Sequence, residues 1–365
     1  MIAIALGFFL TPFPWAPWCS ISIMGAILHS DFALCARKIY GNLKPILFLL
    51  LSITVGLFFS SDYSASIKGT MDLLRGFLAG AAILILLNSR QGTQMLFSAA
   101  TASLATIFLV HLFFADSLLR SETIFSMELD WFAHPARLAG ISFFLMIFAI
   151  YSSKCIPQRN SLIIPAIILL VYLQIELWAS SRGPILCAFV AIALGTTVVR
   201  LNNKAMAASI LAMLASAPII LMLISQITKR GLSDSGRFEL WKHTIKIWIE
   251  YPWLGLGNNV FKQIPNQYLQ GGQLQMPHNI YLEVLFSGGA LSLTALTISI
   301  LLIFSTIRKS RHKIHVLSAS ALIFFFSLGL FDIKFFSSLA GLYIGLGVAM
   351  ICHDLTTSPK EKTSP

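Results

Sequence analysis

Long apolar runs, repeated along almost the whole chain, constrain its fold more than any other feature. A helix needs about 20 apolar residues to cross a bilayer. Stretches near that length lie at 2–28, 45–60, 73–88, 93–115, 138–153, 161–179, 183–199, 205–227, 279–306, 316–331 and 335–352. In hydrocarbon every backbone N–H and C=O must be satisfied within the protein, so runs of this kind fold as helices. The expectation is an all-α polytopic integral membrane protein, one membrane domain over 1–365, with about 11–12 transmembrane helices. The count turns on the first run, where Pro12, Pro14 and Pro17 read either as kinks in one span or as part of a short hairpin. Composition agrees. Hydrophobic residues make up 56% and charged residues 11%, whereas about a quarter of a soluble chain is charged.

The net charge of +11 would suggest nucleic acid in a soluble domain, but in a membrane protein it reads first as basic loops on the cytoplasmic side. Arg37, Lys38 and Lys44, then Arg90, then Lys154 and Arg159, then Arg200 and Lys204, then Arg308, Lys309, Arg311 and Lys313 occupy alternate connections. The tail with Lys360 and Lys362 falls on the same side, and 354–365 reads as a disordered cytoplasmic segment. The other connections are acidic or mixed, with Asp62, Lys68 and Asp72 in one and Asp116, Arg120, Glu122, Glu128, Asp130 and Arg137 in the next.

By this alternation the long polar stretch 228–277 lies outside, although it carries Lys229, Arg230, Arg237, Lys242, Lys246 and Lys262 against Asp234, Glu239 and Glu250. A basic excess on the wrong side for topology asks for another cause, and an anionic ligand supplies one. Several chemistries find no support. The chain has no GxxxxGK[ST], no GxGxxG after a strand and no GxSxG. Its five cysteines form no CxxC pair. Among the eight histidines only His312 and His315 are closely spaced, in a basic loop that reads as solvated rather than metal-binding. No metal or cofactor is expected.

Three polar features remain. The first is Ser181-Arg182-Gly183-Pro184 in a tight external turn. An arginine at that depth either faces a cavity or partner or snorkels to head groups, and the residue alone leaves both readings open. The second is the stretch from Gly236 to Trp248, where Phe238, Trp241, Ile245 and Trp248 recur at helical spacing beside Glu239, Lys242 and Lys246. It reads as an amphipathic helix on the outer membrane boundary, with Arg237 at its start, where backbone N–H groups favour an anion. Gly255-Leu256-Gly257 after it is a turn, or a place where backbone can approach a ligand. The third is Pro277-His278-Asn279. Proline suits a first helical turn, so His278 is expected near a helix N-terminus, whose positive dipole end disfavours a cationic ring. A neutral histidine can accept a proton, although most histidines at helix starts are structural.

Taken in order, Ser181-Arg182-Gly183, Gly236-Arg237, Trp241, Pro252-Trp253-Leu254-Gly255-Leu256-Gly257, and His278-Asn279 with Gly289 resemble the O-antigen ligase and O-antigen polymerase superfamily. The ligase pattern is His-Asn, nine residues, Gly, two residues, then Gly, Thr or Tyr; here Ser292 takes the last place. The resemblance implies a glycosyltransferase of the bacterial inner membrane. Its donor would be a glycan on undecaprenyl diphosphate, and its acceptor lipid A-core oligosaccharide in a ligase or another lipid-linked repeat unit in a polymerase. Arg182 and Arg237 would bind the diphosphate, Trp241 and Asn279 would join them at the substrate, and His278 would be the general base. The 228–277 loop, with its short amphipathic helices, would be periplasmic. A lipid-linked oligosaccharide transporter is the alternative of another class. Its ionisable residues would line a path through the membrane, whereas here they gather in one external loop.

Overall fold

The computed structural model describes residues 23–31, 33–35, 37, 44–120, 135–153, 163–179, 182–201, 237–263, 277–310, 314–330 and 335–357. Among them all regular structure is helical. In chain order the main helices are α1 (Lys44–Phe58), α2 (Tyr63–Leu87), α3 (Arg90–Arg120), α4 (Pro135–Ser153), α5 (Ile163–Ala179), α6 (Arg182–Arg200), α7 (Arg237–Glu250), α8 (Ile280–Lys309), α9 (Val316–Leu328) and α10 (Ser338–Thr357). Every helix but α7 falls on one of the apolar runs. Five spans among the described residues are long and apolar enough to cross a membrane, and four shorter apolar helices accompany them. The expected span at 205–227 and most of the one at 2–28 lie outside the described residues.

Several boundaries differ from the sequence reading; α3, for one, runs to Arg120 and takes in Asp116, which was expected in a connection. Helix α2 begins at Tyr63 rather than near 73, because the Asp62 carboxylate accepts from the Ala65 N–H and caps it. Lys68 and Asp72 therefore sit on the helix and not in a loop, and Asp72 pairs with Arg75 one turn on at 3.4 Å. At the other end α10 continues to Thr357, so Asp354 to Thr357 are helical rather than disordered. Asp354 explains this. Its carboxylate is buried and accepts from the Tyr151 hydroxyl at 2.6 Å, the His315 N–H at 2.8 Å and the Ser318 hydroxyl at 2.6 Å. His353 Nδ1 meets the same Tyr151 hydroxyl at 2.7 Å. His315 is thus no solvated loop residue; its Nδ1 accepts from the Leu317 N–H and caps α9.

Close packing of α2 on α10 depends on small residues. A Cβ on Gly80 would lie 2.5 Å from the Leu342 carbonyl oxygen, and one on Gly345 would meet the Phe77 carbonyl oxygen. Lipid tails are as apolar as leucine, so tight backbone contact through small residues is what holds membrane helices together. Between α4, α9 and α10 the buried rings of Phe143, Phe144, Phe324 and Tyr343 stack in sequence, with centroids 3.9 Å apart for Phe143–Phe324 and 4.1 Å for Phe144–Tyr343.

The described ends of the basic connections collect at one end of the bundle. Arg308, near the end of α8, donates to the carbonyls of Val198 and Leu201 at the end of α6, and the Asp354 network joins the ends of α4 and α10 to the start of α9. The opposite end carries the α1–α2 turn, α7, the start of α8 and the α9–α10 connection. There the chain does something that a plain apolar run does not reveal. Helix α8 breaks at Gly288 (φ −131°, ψ 17°) and Gly289 (φ 64°, ψ −160°). The segment 252–257 lies against the break and satisfies it. Leu256 and Gly257 donate to the carbonyls of Phe286 and Ser287 at 2.9 and 2.8 Å, and Ala290 donates to Pro252 at 2.8 Å. Irregular backbone at membrane depth survives only where protein pairs its freed groups.

Candidate active site

At the end that carries α7, Asn279 is the N-cap of α8, its Oδ1 accepting from the N–H groups of Tyr281 and Leu282 at 3.0 and 3.1 Å. Its Nδ2 donates to the Leu330 carbonyl at 3.2 Å, which ties the cap to the segment after α9. The Ile280 N–H adds a 2.7 Å bond to the Gly329 carbonyl, and the Tyr281 hydroxyl donates to Phe326 at 3.0 Å. Glu283, 2% exposed, accepts the Phe335 N–H at 2.6 Å. The first turn of α8 is therefore held by the chain that leaves α9 and enters α10.

His278 stands just outside that helix rather than in its first turn. Proline at 277 precedes the cap by two residues, and His278 between them has φ 53°, in the left-handed region. A non-glycine residue there costs about 1–2 kcal/mol. The neighbouring bonds outweigh it. An asparagine N-cap contributes about 1 kcal/mol, and each flanking backbone bond adds a net of about 0.5–1.5 kcal/mol. Left-handed backbone in a half-exposed histidine, held by bonds on both sides, is the kind of strain that collects at functional sites.

The bond on the other side comes from α7. The Trp241 indole N–H donates to the Pro277 carbonyl at 3.0 Å, so the second turn of α7 rests against the residue before His278. Arg237 is the first residue of that helix, one turn before Trp241. Arg182 is the first residue of α6, which packs chiefly on α9 and also touches α8. Both arginines occupy helix starts, where orphan backbone N–H groups favour anions. Their side chains lie outside the described residues, as do those of Phe238, Glu239 and Lys262. Asn279 and Trp241, expected at the substrate, spend these polar groups on the backbone that frames His278.

Helix α7 also differs from the expected face. Leu240, Thr244 and Ile247 are its buried residues, and Leu240 and Ile247 pack with Val260, Phe261 and Phe286. Lys242, Ile245, Lys246 and Ile249 point outward. Trp248 is half-buried and donates to the Pro252 carbonyl at 3.0 Å. Gly255 and Gly257 do allow close backbone approach, at φ 65° and 116°, but what they approach is the break in α8 and not an open ligand site. A Cβ on Gly255 would lie 2.5 Å from the Phe286 carbonyl oxygen. The next residue, Asn258, is fully buried and donates to the Ile53 carbonyl and the Thr70 hydroxyl at 2.9 Å each, which anchors the segment to α1 and α2.

Ser292, where the ligase pattern has another residue, is buried and donates to the Ser52 carbonyl on α1 at 2.7 Å. The pairing of 252–257 with the α8 break escaped the sequence reading, and its one signal there is the Gly288-Gly289 pair inside an apolar run. Among the described residues no group of three or more His, Cys, Asp or Glu is placed to hold a metal ion.

Residues 142–297 match the family model described as O-antigen ligase. The matched range contains Arg182, Arg237, Trp241, His278, Asn279, Gly289 and Ser292. This part of the multi-pass membrane protein, less than half of the chain, is thus similar to O-antigen ligases, a likeness in keeping with a glycosyltransferase of the O-antigen ligase or polymerase type. No curated protein matches the chain.

Proposed function

We propose that the protein transfers a preassembled glycan from undecaprenyl diphosphate to lipid A-core oligosaccharide at the periplasmic face of the bacterial inner membrane. The observation that carries this reading is the Trp241–Pro277 bond. It brings a helix that starts with Arg237 against the residue preceding a strained, half-exposed histidine.

The chemistry needs two things, stabilisation of a leaving diphosphate and removal of a proton from an acceptor hydroxyl. Guanidinium groups at two helix starts, Arg237 and Arg182, suit the first, since planar forks bind phosphate oxygens bidentately. Stabilising charge as it develops on the leaving group lowers the barrier without a metal. His278 suits the second as general base. It precedes the cap of α8 and is held in one backbone conformation, which limits the ways its ring can be lost from the acceptor. The polyprenyl tail stays in the bilayer while its head group meets α7, whose outward face carries Lys242, Ile245, Lys246 and Ile249 for the membrane boundary.

Reconstitution tests the activity. Protein in proteoliposomes with a lipid-linked glycan and lipid A-core should yield glycosylated core, and His278→Gln should lower turnover by about 10²–10⁴, the usual range for a general base, while donor binding persists. Deletion in the native host, read on lipopolysaccharide gels, should remove all attached polymer. A core still bearing one repeat unit would make the protein a polymerase, and donor movement across the bilayer with no glycosylated product would make it a transporter.

A further inference from the structure

We infer that Trp241 is a positioning residue, which sets the place of His278 relative to the start of α7 through its indole N–H and not by contact with substrate. This rests on the reading of His278 as general base. Three observations lead to it. The Trp241 Nε1 atom donates to the carbonyl of Pro277 at 3.0 Å, across 36 residues of chain. That carbonyl belongs to the peptide that joins Pro277 to His278, so the bond fixes the plane from which the histidine departs. The histidine itself is left-handed at φ 53°, a conformation that a non-glycine residue leaves readily once its neighbours are released.

The third observation is what lies on the far side. Asn279 caps α8 and reaches Leu330, and Ile280 is bonded to Gly329. His278 is therefore clamped downstream by α8 and the α9 connection and upstream by the indole bond to Pro277. Helix α7 is itself seated by Leu240 and Ile247 in the cluster with Phe286 of α8, so it is a firm platform from which to hold a carbonyl. Arg237 stands one turn before Trp241 on the same side of that helix, since residues four apart share a face. One hydrogen bond thus fixes the register between an arginine-bearing helix start and the proposed base.

A misplacement of about 1 Å at a reacting group costs up to about 10²-fold in rate, and a released left-handed residue moves on that scale. Trp241→Phe keeps the ring and removes the donor. Its expected effect is a fall in kcat of about 10- to 100-fold, with the KM for lipid-linked donor within about twofold and the melting temperature in detergent little changed. Replacement of Trp241 by 3-benzothienylalanine, which keeps the bicyclic shape and puts sulfur where the N–H was, should repeat that result in a protein that packs as the wild type does. In a His278→Gln background Trp241→Phe should produce no further loss, because the residue it positions has already been removed.

Normal kcat in the benzothienyl variant overturns the inference, as does a rise in donor KM in both backgrounds, which would place the indole on the substrate. Additive losses in the double variant overturn it too. Failure of the underlying reading shows elsewhere: His278→Gln alone would then turn over normally, whatever Trp241 does.

Discussion

Gly289→Ala tests the fold where it is least like an ordinary membrane helix. In a straight helix this change stabilises, by about 0.5–1 kcal/mol, since alanine loses less conformational freedom on folding than glycine. Here the sign should reverse. Gly289 has φ 64° and ψ −160°, a region essentially confined to glycine, in which a side chain costs of order 1–3 kcal/mol. The added Cβ would also run into the Trp253 carbonyl group and lie 2.5 Å from the Leu254 nitrogen.

Relief requires the 252–257 segment to back away from α8, at the expense of the Ala290–Pro252 bond at 2.8 Å and the Leu291–Trp253 bond at 3.4 Å. At a net of about 0.5–1.5 kcal/mol each, these bring the total to about 2–6 kcal/mol. That is a large fraction of the 5–15 kcal/mol by which proteins are commonly stable, roughly. The assay is thermal unfolding of detergent-purified protein followed by size exclusion, with hydrogen exchange read on the amides of Leu256 and Gly257. The variant should melt earlier and lose protection at those amides, and its activity should fall in proportion to its folded fraction. A Gly289→Ala protein as stable as the wild type would refute the argument. So would one that is fully folded and protected yet inactive, since that would make the glycine part of the chemistry.

The paired arginines and the orientation of the chain give two further expectations. Arg182→Lys and Arg237→Lys should each lose most transfer activity while inserting normally, because a lysine point charge cannot reproduce a bidentate fork; full activity in either would reduce that arginine to a membrane anchor. An alkaline phosphatase fusion after Gln270 should be active and one after Lys360 inactive, and the reverse pattern would put the site on the cytoplasmic side.

Apolar runs showed where most helices lie because hydrocarbon leaves the backbone few alternatives. They failed at the start of α2, where Lys68 and Asp72 lower the local hydropathy while the Asp62 cap still begins a helix. They failed again at Asp354, whose three hydrogen bonds come from α4 and from the start of α9, far away in sequence. The motif residues lie at one end of the bundle, but motif spacing says nothing of what a residue touches. Trp241 and Asn279 looked like substrate contacts; the indole N–H and the side-chain amide are bonded to Pro277, Tyr281, Leu282 and Leu330. Gly255 and Gly257 looked free to approach a ligand, whereas Gly255 lies against the Phe286 and Ser287 carbonyls and Gly257 donates to Ser287, at a helix break some thirty residues later. Pairings of that kind are tertiary, so no local pattern encodes them.

The Asp354 network has a mechanical consequence. By joining Tyr151, His315, Ser318 and His353 it rivets three helices together at the basic end, and Arg308 riveting α8 to α6 does the same beside it. The pair α6 and α8, pinned at that end by Arg308, behaves like tongs. Its softest motion is a small rotation about the pinned end, and the displacement grows with distance along the helices. At a rise of about 1.5 Å per residue, the 19 residues of α6 give a lever arm of roughly 28 Å, so a tilt of only a few degrees separates the far tips by an ångström or two. The start of α6 can then shift by that much relative to α8 without melting any helix.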